Sequence, residues 1–174
     1  MDELLRAIDG NRPGSVKDLL RMTDFNEPLF DALNRPLQHA QTDTALIYAL
    51  RRPGILPEVL VLLLEAGSDT ESGPFGALHC ALLSHQPLPI LKLLLAFKAD
   101  IFRSVPLTES TEEKDAEGEG EFSLLHLALF VRASREVIQW LCREGGSLLI
   151  NSQNNRFRET PLSKKEGSNH FSPC

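Results

Sequence analysis

The sequence contains few aromatic residues and few cysteines, and each shortage limits what the chain can be. Aromatic residues make up 6% of the 174 positions, so leucine and alanine must supply most of any core. The three cysteines, Cys80, Cys142 and Cys174, form no close pair and lack the spacing of a zinc site. An odd number of separated thiols favours a reducing compartment over a disulfide-bonded secreted scaffold. Cys80 and Cys142 lie in apolar helical patterns, where we expect buried thiols.

Segments that would direct the chain to a membrane are also lacking. The longest apolar run, residues 59–64, is far too short to span a bilayer. The N-terminal residues have neither the basic start nor the long apolar stretch of a signal peptide. We therefore expect an intracellular protein, cytoplasmic or nuclear, with no membrane partner.

The net charge of −6 is concentrated in one segment. Residues 109–121 carry seven acidic residues and one lysine, which leaves 17 acidic against 17 basic residues elsewhere. No broad basic face is implied, and this argues against nucleic acid as a partner. The acidic segment is predicted to belong to a disordered insertion, residues 103–121. It is a tolerated solvated loop, an acidic arm for a basic partner, or a phosphorylation site at Ser110 or Thr111.

What the sequence does contain is a pattern that recurs along the chain. Three short segments share a leucine at the third position and an alanine at the sixth: T-A-L-I-Y-A at 44–49, G-A-L-H-C-A at 76–81 and S-L-L-H-L-A at 123–128. Each is followed by a second apolar run, at 59–64, 90–95 and 137–142, and then by a turn, at 66–69, 97–100 and 144–147. Helical patterns this short cannot fold alone, so each must pack on neighbours.

The spacing within the pattern has a physical reason. A threonine or serine at the first position can cap the helix, and a leucine and an alanine three residues apart share one face. The small alanine lets two helices approach closely, and a glycine after the second helix can adopt the left-handed conformation that ends it. The pattern resembles the ankyrin repeat, whose first helix opens T-P-L-H-x-A and whose period is about 33 residues.

This resemblance implies an all-α fold, an ankyrin-repeat solenoid of stacked helix-turn-helix units that occupies residues 1–163. It predicts about four repeats, a truncated fifth that opens T-P-L-S, and a disordered tail at residues 164–174. The predicted repeat boundaries are about 2–26, 44–70, 76–101 and 123–147, with the partial repeat at 160–163.

Three places depart from the pattern. The first repeat has polar residues in its second helix where later repeats have leucine or isoleucine, as suits a terminal unit. Residues 26–41 form either a helical turn near 28–33, packed on the first repeat, or an irregular loop. Lys98 occupies the position of the turn glycine, where a positive φ would cost about 1 kcal/mol relative to glycine.

No catalytic constellation is present, so we expect no enzyme activity, no cofactor and no small-molecule ligand. His79 and His126 occupy the histidine position of the resembled repeat, which implies a structural role for both. Gly118 and Gly120 are surrounded by glutamates that would repel a phosphate group. Trp140 lies inside an apolar run and is predicted to belong to the core.

The resemblance implies a non-catalytic protein–protein interaction module, a scaffold or adaptor. In the resembled family, partners meet the tips between repeats and the exposed side of the first helices. Carried onto this chain, those places predict partner-binding roles for Arg51, Glu71, Leu83, Phe102, Arg103, Phe130 and Arg156. Leu83 and Phe130 are apolar where water is expected, so they form either a docking strip or a strip that inserted segments cover.

Two other functions stay open at this level. The array could be the regulatory or substrate-positioning part of a larger enzyme or signalling protein, or the truncated chain could have no function of its own.

Overall fold

The computed structural model describes residues 1–22, 29–37, 43–73, 75–106 and 121–152. In these residues the protein is mostly helical, with one small sheet of two strands. The helix content agrees with the predicted all-α class. The chain divides into two compact units, Met1–Asp100 and Ile101–Cys174.

The first unit is built from pairs of short helices. Its elements are α1 (Asp2–Asp9), α2 (Pro13–Arg21), α3 (Leu29–Asn34), α4 (Ala45–Leu50), α5 (Pro57–Glu65), α6 (Ala77–Leu83) and α7 (Leu88–Ala96). Consecutive helices pack as the pairs α1–α2, α4–α5 and α6–α7. Helix α4 also contacts both α1 and α6, and α2 contacts α5. The first helices of the three pairs are therefore neighbours in sequence order.

The leucine and alanine of the recurring pattern form the core of this unit, as predicted. Leu46 and Leu78 are buried, and Ala49 and Ala81 are inaccessible to water. Alanine has no side chain beyond Cβ, so neighbouring helices can approach closely at these positions. The first pair repeats the arrangement with Leu4 and Ala7, both buried in α1.

The first helix of a pair ends in the same left-handed turn at three places. The residue two positions beyond the helix has a positive φ of about 50°, and the following N–H closes the turn on the carbonyl of the pattern alanine. The three positive-φ residues are Asn11, His85 and Arg132, and the closing bonds join Arg12 to Ala7, Gln86 to Ala81 and Ala133 to Ala128. The alanine thus has a second role that its small size does not explain, because its backbone oxygen accepts the bond that ends the helix.

The second helices of the central pairs also end alike. Gly67 follows α5 with φ 98°, and Lys98 follows α7 with φ 66°. In each case the next N–H, of Ser68 or Ala99, donates to a carbonyl five residues back. Lys98, which occupies the position of the turn glycine, therefore does adopt the positive φ whose cost was considered above.

Helix α3 shows that part of residues 26–41 is helical, one of the two predicted alternatives. It contacts α4, the first helix of the second pair, whereas the prediction packed it on the first repeat. The amide of Asn34 fastens its end, since Nδ2 donates to the carbonyl of Gly67 at 3.0 Å and Oδ1 accepts from the N–H of Asp69 at 2.6 Å. Residues 23–28 and 38–42 lie outside the described part of the chain.

The second unit contains β1 (Ser104–Pro106), β2 (Glu121–Ser123), α8 (Leu124–Phe130) and α9 (Arg135–Ile150). The strands are antiparallel, with Val105 opposite Phe122, and α8 packs on β2 and α9. The prediction of disorder from residue 103 to residue 121 is wrong at both ends, because backbone hydrogen bonds between the strands order them. Residues 107–120, with most of the acidic segment, lie outside the described part, as do residues 153–174 with the partial repeat and the tail.

Helix α9 contains the break that was predicted as a turn near residues 144–147. Gly146 has φ 54° and ψ −151°, so two helical segments meet there at a kink, and the second one runs on to Ile150. Trp140 is buried as predicted. Cys80 is buried, whereas Cys142 is only partly covered, contrary to the expectation of a buried thiol.

The predicted helix caps are partly correct. Ser123 caps α8, because its Oγ accepts a hydrogen bond from the N–H of His126. Thr44 precedes α4 but does not cap it with its side chain; its Oγ1 instead accepts a long hydrogen bond of 3.4 Å from Ser72 Oγ.

Candidate partner-binding surface

Six of the seven predicted partner-binding residues lie in the described part of the chain, and Arg156 lies outside it. Arg51, Glu71 and Leu83 belong to the first unit. Phe102, Arg103 and Phe130 belong to the second. The structure therefore divides the predicted surface between two bodies, and the strip predicted from Leu83 and Phe130 has one residue in each.

Leu83 and Phe130 occupy the same place in their helix pairs. Each is the last residue of a first helix, two positions before a left-handed residue. Leu83 is 44% exposed and Phe130 is 55% exposed. The two alternatives for these side chains, a docking strip and a strip that inserted segments cover, both stay predictions, because residues 107–120 lie outside the described part of the chain. Single exposed apolar side chains are common on protein surfaces, so it is the repeated position at the end of a first helix, and not exposure alone, that makes these two residues candidates for partner contact.

Arg51 is already engaged within the first unit. Its Nη2 lies 3.1 Å from Oδ1 of Asp43, whose side chain is only 9% exposed. A carboxylate with so little exposure to solvent needs a cationic partner, because burying its charge without one would cost free energy. Arg51 therefore neutralises Asp43 and is less available to a partner than its exposed position suggests.

Sequence reasoning missed a cluster beside Arg51 that joins α1 to α4. The hydroxyl of Tyr48 donates to the carboxylate of Asp9, with oxygen–oxygen distances of 2.9 and 3.0 Å. Arg52 forms an ion pair with Asp9 at 2.8 Å, hydrogen-bonds to the Tyr48 hydroxyl, and lies 4.4 Å from the centre of the tyrosine ring. The only sequence signal for this cluster was the four-residue spacing of Tyr48 and Arg52.

Burial raises the pKa of the Tyr48 hydroxyl, and the hydrogen bond to Asp9 acts in the same direction. Tyr48 is therefore protonated at neutral pH and serves as a donor. The cluster fastens two helix pairs and offers no nucleophile, so we assign it a structural role.

Glu71 also has an internal role. Its Oε1 accepts a hydrogen bond of 2.8 Å from the N–H of Asp100, and its own N–H donates to Asp69. The carboxylate thus ties the connection after α5 to the connection after α7. In the second unit, Phe102 is 51% exposed and Arg103 is partly covered.

The two histidines of the recurring pattern are buried. His79 is inaccessible to water, and His126 is 2% exposed. Nδ1 of His126 lies 2.7 Å from Oγ of Ser123, which lies 2.8 Å from Oγ of Ser152. A serine next to a histidine can act as a nucleophile, but here both groups are enclosed and Ser123 caps α8. No substrate could reach them without opening the unit.

Among the described residues, no three histidine, cysteine or acidic side chains are grouped so that they could hold a metal ion. No helix in that part of the chain has the length and apolar character needed to cross a bilayer. An open cavity of about 380 Å³ lies between α1 and α2, lined by both acidic and basic side chains: Glu3, Arg6, Arg12 and Asp18. Its mixed charge favours no particular ligand.

The fold and the exposed residues define a helical protein whose first unit consists of side-by-side helix pairs. No protein family model matches the chain, and no curated protein matches it. Any statement of family or function therefore depends on the geometry described above.

Proposed function

We propose that the chain is a divergent ankyrin-repeat protein that acts as a non-catalytic interaction module. It binds another protein through the tips between helix pairs and the exposed ends of the first helices. The observation that carries this proposal is the recurring pair of short helices, joined in three of the four described pairs by a left-handed turn closed on the pattern alanine.

The recurrence of one turn at three places supports a repeat architecture. Asn11, His85 and Arg132 have unrelated side chains, yet their backbone angles and hydrogen bonds correspond. A repeated backbone geometry with divergent side chains is expected when units of one kind stack, because each turn must fit the next unit. In the first unit, α4 contacts the first helices of both neighbouring pairs, α1 and α6, as the first helices of stacked units do.

The surface supports binding rather than catalysis. The histidines are enclosed, while Leu83 and Phe130 expose apolar area at the ends of first helices. Extended helical arrays bind partners over a broad surface, and exposed apolar residues at repeated positions supply the desolvation energy for this.

Site-specific cross-linking in cells tests the proposal. A photoreactive phenylalanine analogue is placed at Leu83 or Phe130 of the full chain, and in control chains at Glu58 or Lys92, which are exposed on second helices. We expect the first two chains to cross-link a discrete protein and the controls to give no such product. Absence of a product at every position, or equal products at all four, would contradict the proposal.

A ligand screen by thermal denaturation distinguishes an interaction module from the main alternative, a regulatory or substrate-positioning part of an enzyme. A ligand that binds only the folded state raises the melting temperature. We expect no shift with nucleotides or divalent metal ions; a reproducible shift would favour a regulatory or substrate-positioning part of an enzyme.

A further inference from the structure

We propose that the turn between α8 and α9, residues 130–135, docks a segment of another protein that carries a carboxylate beside a large apolar side chain. The inference rests on the proposed function and deepens it by naming the chemistry of the partner. It draws on three observations in the second unit: the exposed ring of Phe130, the exposed side chains of Arg132 and Arg135, and the left-handed backbone of Arg132.

The apolar part of the site is Phe130. It ends α8 with more than half of its surface in water, and the partly covered Val131 follows it. A large apolar side chain of a partner placed against the ring would remove apolar surface from water on both sides. Aromatic side chains are enriched at interfaces for this reason.

The charged part of the site is formed by Arg132 and Arg135. Both are exposed, and neither forms an ion pair with any residue that the structure describes. Glu136, also exposed, is the one acidic residue in the first turn of α9. The turn therefore keeps a positive balance, and guanidinium groups pair with carboxylates through two parallel hydrogen bonds.

The backbone at Arg132 indicates that this side chain is not there for stability. Its φ of 54° lies in the left-handed region, which glycine or asparagine adopts at lower cost. At the corresponding position of the first pair, Asn11 uses its side chain to bind Gly54 and Leu56. Arg132 has no such role in the described structure. The left-handed backbone itself belongs to the fold, since Asn11 and His85 adopt it in the corresponding turns, so only the choice of an exposed arginine at this position is left for a partner to use.

Selection from a phage-displayed library of random twelve-residue peptides, on the purified full chain, tests the proposal. We expect the selected peptides to contain aspartate or glutamate within a few positions of leucine, phenylalanine or tryptophan. Their affinity is expected to fall as salt is raised, because the arginines are exposed. Selected peptides without acidic enrichment, or no selected peptide at all, would overturn the proposal.

The decisive variant is Arg132→Gly, because it removes the charge and relieves the backbone at once. We expect the melting temperature to rise by roughly 1–3 °C and the peptide affinity to fall about three- to tenfold. Phe130→Ala should weaken binding by about tenfold or more. Arg143→Gln, which changes an exposed arginine elsewhere on α9, should leave the affinity unchanged.

The outcomes distinguish this inference from the general function. A higher melting temperature with unchanged affinity in Arg132→Gly overturns the docking site, while a cross-linked partner at Leu83 would leave the interaction function intact. The chain's own acidic segment is the competing occupant. If neutralising residues 109–121 raises peptide affinity tenfold or more, that segment occupies the turn, and the assignment to another protein is wrong.

Discussion

The first and second helix pairs share one arrangement but contribute very differently to the core. In α2 the one buried residue is Val16, whereas α5 buries Val59, Leu60, Leu63 and Leu64. The turn after α1 is short, while the connection after α4, residues 51–56, is longer and is held by side chains of neighbouring pairs. The backbone arrangement therefore recurs while burial, and with it stability, is unequally distributed between the two pairs.

Truncation of one leucine in each second helix is the strongest test of this comparison. Leu63 is inaccessible to water in α5, so Leu63→Ala should lower the free energy of unfolding by about 2–5 kcal/mol through lost burial and a cavity. Leu19 in α2 is only partly covered, so Leu19→Ala should cost about 1 kcal/mol or less. Urea denaturation measures both values, and equal losses would contradict the comparison.

Removal of the side-chain amides that bond to the second helix pair should lower the free energy of unfolding by less than Leu63→Ala does. The buried Gln86 donates to the carbonyls of Leu50 and Arg52 at 2.7 and 3.0 Å. Gln86→Met keeps the volume but leaves both carbonyls without this donor, so we expect a loss of about 1–3 kcal/mol. Asn11→Gly keeps the positive φ and removes bonds that are more exposed to water, so about 1 kcal/mol is expected. A larger loss for Asn11→Gly than for Gln86→Met would reverse the expected order.

Substitutions in the turns after α5 and α7 should change the free energy of unfolding in opposite directions. Gly67→Ala puts a side chain at φ 98°, with its Cβ 3.4 Å from the ring of Phe30, and should destabilise by about 1 kcal/mol. Lys98→Gly relieves the corresponding turn and should stabilise by about 0.5–1 kcal/mol. Thermal denaturation of the single and double variants checks both signs. If the two changes have the same sign, the turns are not equivalent.

The cluster that joins α1 to α4 is expected to make the smallest of these contributions to stability. Tyr48 is the only tyrosine in the chain, so the absorbance of tyrosinate during an alkaline titration reports on it alone. Its pKa is raised in the folded state, so we expect a midpoint above 10.0 in the native protein and a return to about 10 in denaturant. The stability that this shift contributes is fully present below pH 10 and is lost as the pH rises through the folded-state pKa.

Two controls sharpen the titration. Tyr48→Phe should abolish the absorbance change and the associated loss of stability in alkali. Asp9→Asn keeps a group of the same size but removes the charge that holds the tyrosine proton, so the midpoint should move back toward 10. A midpoint at 10 in the unaltered protein would contradict the described cluster.

Much of the fold could be predicted from the sequence because its elements are short and local. The leucine and alanine positions at 46, 49, 78 and 81 define a helix face through spacing alone, and the structure buries them. The place of Lys98 after an apolar run identified it as the residue of the turn, and the structure gives it the positive φ. The exposure of Leu83 and Phe130 followed from their place two residues beyond the alanine.

The candidate site was harder to predict because it depends on which charges already have partners. Arg51 and Glu71 were predicted to bind a partner, yet Asp43 and the N–H of Asp100 engage them. The sequence shows the type of each side chain but not its neighbour across the fold. The paired strands at the ends of the insertion were missed for the same reason, since three-residue strands have no periodic signal.

The paired helices, their order and most residues of their buried faces could be predicted from the amino-acid pattern, because these follow from spacings of three and four residues within one segment. The contacts that fasten one helix pair to the next depend instead on how the chain packs in three dimensions. The bonds from Asn11 to Gly54, from Tyr48 to Asp9 and from Gln86 to Leu50 join residues 43, 39 and 36 positions apart. No local pattern specifies such contacts, because they form only after packing has brought the helices together.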